Sequence, residues 1–137
     1  MIKIIKDPGD RMFKILCIDH VVLRTMNVEE MTSFYCDTLG CSIEKVQEKI
    51  GLTQLRAGDS IIDLLQAKTA ISEVGYNLDH FCLRIWPFDF NYLTDYFKSK
   101  KVHVYNHGER YGAQGYGESL YLRDPDGNEI ELKSAKI

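Results

Sequence analysis

LYLRDPDGNEIEL, residues 120–132, consists of two β-rich runs joined by a tight turn. Within the turn, DPDG at residues 124–127, proline fixes φ at the second position and glycine accepts positive φ at the fourth. The second run ends on Ile130, Glu131 and Leu132. Because both neighbours of Glu131 are apolar, we expect Glu131 to lie in the protein interior. A buried ionised carboxylate is costly unless it is paired or bound to a metal, so Glu131 needs a partner.

An internal duplication supplies candidate partners for this carboxylate. DHVVLR at residues 19–24 recurs as DHFCLR at residues 79–84, and IDL at residues 62–64 recurs as IEL at residues 130–132. Each half therefore opens with a histidine in a predicted strand and closes with a carboxylate in another. The four potential metal ligands are His20, Asp63, His80 and Glu131.

Hydrophobic periodicity predicts the same order of elements in both halves, a strand, an amphipathic helix and three further strands. In the first half these cover residues 14–24, 27–39, 41–46, 52–57 and 60–65. In the second half they cover residues 78–85, 89–101, 102–105, 119–123 and 129–133. The sequence therefore predicts an α+β domain over residues 14–134, built from two βαβββ modules at about 14–67 and 78–134. Residues 1–13 form an N-terminal extension.

Composition and charge limit the classes of partner. The chain has 137 residues, of which 45% are hydrophobic and 27% charged, and its net charge is −3. Such values are typical of an ordinary globular domain and give no basic surface for nucleic acid or an acidic membrane. The N-terminus is too polar for a secretory signal, and no run is long and apolar enough for a membrane span. We therefore expect cytoplasmic residence, without nucleic acid or membrane as partners.

Two imidazoles with carboxylates are suitable ligands for one divalent ion per site, such as Zn, Ni, Co, Mn or Fe. A histidine that recurs at the matching place of a repeat favours metal binding over two unrelated structural histidines. Asp63 is one methylene shorter than Glu131, so whether it contacts the metal directly stays open.

These motifs resemble those of the vicinal oxygen chelate superfamily, which includes glyoxalase I, extradiol dioxygenases and bleomycin-resistance proteins. The resemblance covers about residues 14–134 and rests on IDHVVLR, FYCDTLG, LDHFCLR and YLRDPDGNEIEL. It implies paired βαβββ modules that form an incomplete barrel around a metal, usually in a homodimer. The ligands that it implies are His20, Asp63, His80 and Glu131.

The resemblance also implies a range of activities. Family members bind substrate oxygens on the metal, which acts as a Lewis acid. A glyoxalase-like lyase or isomerase acting on a small oxygenated molecule is the leading expectation, with Glu131 or Asp63 as the base. Arg24 matches one arginine of the glutathione clamp of glyoxalase I, but most of that clamp is missing. There are two alternatives. One is an extradiol-type dioxygenase, because Tyr121 matches the position of that family's active-site tyrosine. The other is a metal-independent drug-binding protein.

Residues 106–117 form a predicted loop that contains four glycines. Flexible glycines allow closure over a cleft, and a cation with two aromatic rings can contact a small anionic or aromatic substrate. An ordinary solvated hairpin loop is the alternative interpretation. The candidate substrate contacts in this loop are Arg110, Tyr111 and Tyr116, and the resemblance implies two more outside it, Arg24 and Tyr121.

Overall fold

The structure is a computed structural model that describes residues 16–69 and 78–137. In the first half it contains β1 (His20–Thr25), α1 (Val28–Ser33) with a π-helical continuation (Phe34–Thr38), β2 (Ser42–Gln47), a short 3-10 turn (Glu48–Ile50), β3 (Leu52–Ala57) and β4 (Ser60–Gln66). In the second half it contains β5 (His80–Ile85), α2 (Phe90–Ser99), β6 (Tyr105–Gly112), β7 (Gly115–Arg123) and β8 (Glu129–Ser134). The predicted extension, residues 1–13, lies outside the described residues.

The strands form two open four-stranded sheets, one from each half of the chain. The first sheet has the order β1-β4-β3-β2 and the second the order β5-β8-β7-β6. In each sheet the first and last strands of the module pair in parallel, and the other pairs are antiparallel. The predicted α+β fold of paired βαβββ modules is therefore confirmed.

Local sequence accounts for the two helices that cover these sheets. Glu29 and Glu30 lie in the first turn of α1, where carboxylates favour the positive end of the helix dipole. Asp89 caps α2, because its side chain accepts a 3.0 Å hydrogen bond from the backbone N–H of Tyr92. The apolar face of α2 buries Phe97. No helix in the described part of the chain is long and apolar enough to cross a membrane.

One apolar core lies between the sheets and the helices. Its buried members are Leu23, Met31, Phe34, Tyr35, Leu55, Ile62, Leu64, Phe97, Leu120, Leu122, Ile130 and Leu132. Successive side chains of a strand point to opposite faces, so the alternate residues of β1, β4, β5 and β8 face away from this core. We call this second face of each sheet its site face. In the first sheet it carries His20 and Asp63, and in the second sheet it carries His80 and Glu131.

The predicted loop at residues 106–117 is wrong. Strands β6 and β7 form an antiparallel hairpin in which Gly112 pairs with Gly115, so that only Ala113 and Gln114 form the turn. Gly115 has a φ of 89°, which favours glycine at the hairpin end. The predicted strand at residues 102–105 is correspondingly displaced, since β6 begins only at its last residue. The prediction followed the glycine-rich composition, which is typical of loops. The pairing between β6 and β7 that makes these residues a hairpin is not visible in composition.

Candidate metal centre

The second sheet brings one histidine and one carboxylate of the repeat together. His80 begins β5, and Glu131 lies in the neighbouring strand β8, opposite Cys82. Residues 80 and 82 share a face, so the His80 side chain points along the same side of the sheet as that of Glu131. Nε2 of His80 lies 3.3 Å from Oε1 of Glu131. This pair is the centre of the candidate site.

Glu131 is buried, and its carboxylate is fixed by two further donors. The Ser119 hydroxyl donates a 2.8 Å hydrogen bond to Oε2, and the Tyr121 hydroxyl donates one of 2.8 Å to Oε1. Burial by itself raises the pKa of Glu131, but the hydrogen bonds from Ser119 and Tyr121 and the neighbouring His80 outweigh it and lower the pKa. Glu131 is therefore an ionised, oriented acceptor at neutral pH.

The other ring nitrogen of His80 is held by its sequence neighbour. Nδ1 lies 2.7 Å from Oδ2 of Asp79. An ionised carboxylate only accepts hydrogen bonds, so Nδ1 carries a proton toward Asp79, and the protonated imidazole directs its second N–H, at Nε2, toward Glu131. The hydrogen bond to Asp79 is the main reason that the pKa of His80 is raised. Histidines that bind metals characteristically donate their second N–H to a carboxylate in this way.

The first sheet repeats this arrangement. Nδ1 of His20 lies 2.8 Å from Oδ2 of Asp19, and that hydrogen bond raises the pKa of His20, with a smaller contribution from Asp63. Asp63 is buried in β4 and lies opposite Val22, which places it on the same face as His20. Gln54 donates a 3.2 Å hydrogen bond to Oδ1 of Asp63 and so orients this shorter carboxylate.

The four predicted ligands form two pairs and not one group within the chain. Among residues 16–69 and 78–137, three metal-ligating side chains come within 4.8 Å of one another at one place, Asp79, His80 and Glu129. The two site faces lie on the far sides of their sheets from the common core. Within the described residues, His20 and Asp63 therefore lie apart from His80 and Glu131.

Sequence analysis missed Glu129, which belongs to the surroundings of His80. Its Oε1 accepts a 3.0 Å hydrogen bond from the Tyr105 hydroxyl. Together with Asp79, His80 and Arg123 it lines a cavity of about 380 Å³. Alternation could have identified it, because residues 129 and 131 of one strand share a face.

The hairpin separates the predicted substrate contacts. Arg110 pairs with Gly117 and lies on the site face, with Cζ of its guanidinium 5.9 Å from the ring centre of Tyr121. Tyr111 and Tyr116 pair with each other on the opposite face, where their rings make an edge-to-face contact at 5.1 Å. The structure therefore brings Arg110 and Tyr121 to the site and places the two other tyrosines away from it.

Arg24, the remaining predicted substrate contact, belongs to the first sheet. It lies in β1 four residues after His20, and alternation places both side chains on the same face. Its side chain is exposed, at the end of the strand away from His20.

Two βαβββ modules with a histidine and a carboxylate in corresponding strands define a duplicated α+β protein with a candidate metal centre. The model of the Glyoxalase/Bleomycin resistance protein/Dioxygenase superfamily matches residues 17–132. The chain belongs to this superfamily. A comparison with curated proteins gives no significant match.

Solved structures with the same fold come from several bacteria. An integron cassette protein from the mobile metagenome of V. cholerae is 27% identical, with a TM-score of 0.73 and 92% of this chain and 100% of that chain covered. A virulence protein from Salmonella typhimurium is 28% identical, with a TM-score of 0.72 and coverage of 90% and 100%. A lactoylglutathione lyase from Agrobacterium tumefaciens is 18% identical, with a TM-score of 0.66 and coverage of 89% and 96%, and this likeness concerns the fold alone.

Proposed function

We propose that the protein is a metal-dependent enzyme of the glyoxalase type, a lyase or isomerase that acts on a small oxygenated metabolite or xenobiotic. The observation that carries the proposal is the His80–Glu131 pair, in which Asp79 holds the distal ring nitrogen of the histidine. His20 and Asp19 repeat the same arrangement in the other half. Metal-binding histidines characteristically have such a carboxylate partner, and its repetition in both halves favours this role.

The residues of the site fit one divalent ion, Zn, Ni, Co, Mn or Fe, with His20, His80 and Glu131 as ligands and Asp63 as a fourth or as a support. Such an ion supplies Lewis acidity to the oxygens of a bound substrate. The chain itself supplies an ionised carboxylate, Glu131, which Ser119 and Tyr121 hold in place. A carboxylate in this position can accept a proton from the carbon next to the substrate oxygens.

The site is completed in a homodimer, in which His20 and Asp63 of one chain face His80 and Glu131 of the other. The two half-sites on separate site faces support this arrangement, because a twofold axis produces two equivalent complete sites. Apolar side chains beside His20 are exposed in the single chain, with Ile18 77% and Val22 49% accessible. Both sheets of the described chain are open, with β1 and β2 at the edges of one and β5 and β6 at the edges of the other, and exposed strand edges can pair with a second copy.

Metal analysis tests the proposal. Protein purified without chelator should contain about one divalent ion per chain, and His80→Ala should lose most of it. Asp63→Ala should lose less, because its side chain is shorter and already bound to Gln54. His107→Ala is the control, since His107 is bound to Glu118 and stacks on Phe90 instead. Undiminished metal in His80→Ala would overturn the proposal.

An extradiol-type dioxygenase is the second candidate, favoured by the Tyr121 hydroxyl at 2.8 Å from Oε1 of Glu131. That position places a phenol beside the proposed metal. Oxygen consumption by iron-loaded protein with catechols, abolished in Tyr121→Phe, would replace the lyase proposal by this one. A chain that binds no metal but binds apolar drugs would support the drug-binding alternative.

The partners and the location that we propose are those expected from the sequence. The substrate is a small molecule, the second copy of the chain is the protein partner, and neither nucleic acid nor membrane takes part. The proposed location is the cytoplasm, as expected from the polar N-terminus.

A further inference from the structure

Lys133 is a buried lysine on the site face of the second sheet, two residues after Glu131. The residue is only 5% exposed, and Nζ donates a 2.7 Å hydrogen bond to the backbone oxygen of Arg110. Within residues 16–69 and 78–137 it forms no ion pair with a carboxylate. Lysines are almost never fully buried unless they are paired. Among the described residues, one of the three N–H donors of this ammonium is bound, which leaves two that can bind a ligand.

Two glycines create the space in which this side chain lies. A Cβ at Gly117 would lie 2.8 Å from Nζ of Lys133, and a Cβ at Gly112 would lie 2.9 Å from its Cε. Any other residue at either position would therefore displace the lysine. The side chain crosses β7 toward β6 over this glycine surface. The glycines that suggested a flexible loop thus make room for a cation.

Arg110 lies on the same face in β6, opposite Gly117, with its guanidinium folded back toward Gly108 and the backbone oxygen of Asn106. A Cβ at Gly108 would overlap Nη1 of Arg110, so a third glycine admits the folded-back guanidinium. Its Cζ lies 5.9 Å from the ring centre of Tyr121, whose hydroxyl contacts Glu131. Arg84 in β5 lies opposite Lys133 and adds another positive charge to this face. Glu131, the nearest carboxylate along the strand, is already bound by Ser119, Tyr121 and His80.

We propose that Arg110 and Lys133 form an oxyanion-binding subsite beside Glu131, so that the substrate carries a carboxylate, phosphate or phosphonate group next to its metal-binding oxygens. This inference rests on the proposed function and adds the substrate class to it. An ammonium and a guanidinium on one face supply charge-assisted hydrogen bonds that suit such a group. An anion also neutralises the buried charge that the described chain leaves without a partner.

The competing interpretation is that Lys133 only secures the β6–β7 hairpin through the Arg110 carbonyl. The two roles differ in their effect on stability. If the lysine is structural, Lys133→Met should lower the melting temperature. If the lysine serves a ligand, replacing an unpaired buried charge by an apolar chain of similar length should leave the melting temperature unchanged or raise it.

Binding of inorganic phosphate and of acetate to the purified dimer, measured by calorimetry or NMR titration, tests the subsite. Lys133→Met and Arg110→Met should each weaken binding by about tenfold or more, while Lys133→Arg should retain most of it. Lys98→Met, on the exposed surface of α2, is the matched control and should bind both anions as the wild type does. Preference for phosphate or acetate decides whether the group is tetrahedral or a carboxylate.

Metal content is measured on the same samples, which separates the two proposals. Wild-type affinity for both anions in Lys133→Met and Arg110→Met would overturn the subsite, as would a wild-type protein that binds neither anion. A lower melting temperature in Lys133→Met with unchanged anion binding would overturn it as well. If Lys133→Met does not fold, Arg110→Met decides. If the wild-type protein contains no metal but binds anions, and this binding is lost in Lys133→Met, the proposed metal-dependent function is overturned and the anion subsite is supported.

Discussion

The hydroxyl of Tyr35 donates a 2.8 Å hydrogen bond to Oδ2 of Asp124, and this contact joins the helical segment of the first half to the turn of the second. Both residues are buried. Asp124 also accepts hydrogen bonds from the backbone N–H groups of Asp126 and Asn128 and from the Asn128 amide. One carboxylate therefore fixes the β7–β8 turn and its contact with the other module.

Removal of the Tyr35 hydroxyl should destabilise the fold. Tyr35→Phe leaves one buried carboxylate oxygen with fewer donors, so the free energy of unfolding should fall by about 1 to 3 kcal/mol. Urea unfolding followed by circular dichroism measures this change. Tyr92→Phe is the control, because Tyr92 is exposed and its hydroxyl has no partner to lose in the described structure. Equal stability of the two variants would show that the contact does not hold the modules together.

Much of the fold could be predicted because its signals are local. Strands β3 and β4 were predicted within a residue of their ends, since Gly51 and Gly58 separate short apolar runs. The repeated DH motifs correctly identified β1 and β5 as corresponding strands, although β1 begins at His20 and residues 16–19, predicted to belong to it, are not strand. The apolar flanks of Glu131 correctly indicated burial. Periodicity and turn chemistry carry such information within a few residues.

Non-local relationships account for what sequence reasoning missed. Gly112 and Gly117 adjoin the side chain of Lys133, which lies far away along the chain, whereas Gly108 adjoins that of Arg110 in the same strand. Their positions therefore carry no local strand signal and were interpreted as a loop. Likewise, the separation of the two histidine–carboxylate pairs depends on how the modules pack, which strand periodicity does not encode.

Mixing two inactive variants should restore metal sites if each site is shared between chains. His20→Ala and His80→Ala chains, unfolded together and refolded, form mixed dimers in which one site retains both histidines. With random pairing, metal content should recover to about one quarter of the wild-type value. Elemental analysis of the refolded mixture, beside each variant refolded alone, measures it. A mixture with no more metal than the separate variants would place the complete site within one chain.

The pKa of His80 provides a test of its contact with Asp79. In metal-free protein His80 should titrate above its ordinary value of 6.5, chiefly because of the hydrogen bond to Asp79. A raised pKa means that the folded chain holds the proton more tightly, so this contribution to stability is complete below pH 6.5 and is lost as pH rises through the folded-state pKa. Asp79→Asn should lower the pKa in an NMR titration. An unchanged titration curve would contradict the contact.

Substrate recognition should depend on only one of the three hairpin residues predicted to bind substrate. Arg110 lies on the site face beside Tyr121, whereas Tyr111 and Tyr116 lie on the other face with 75% and 62% of their surfaces exposed. Once a substrate is identified, Arg110→Ala should raise its KM, because the lost charge-assisted hydrogen bond contributes about 1.5 to 3 kcal/mol. Metal content should stay at the wild-type level, because Arg110 is not among the proposed ligands.

The double variant Tyr111→Ala, Tyr116→Ala is the matched comparison for Arg110→Ala. It removes two rings from the same hairpin without changing the site face, so both kcat and KM should remain near the wild-type values. Steady-state kinetics of both variants, with metal content measured in parallel, distinguish a site-face contact from a general requirement for the hairpin. A raised KM in the double variant would show that the opposite face also contacts substrate, for instance in the site of a second copy. Unchanged kinetics in Arg110→Ala would remove the hairpin from substrate recognition.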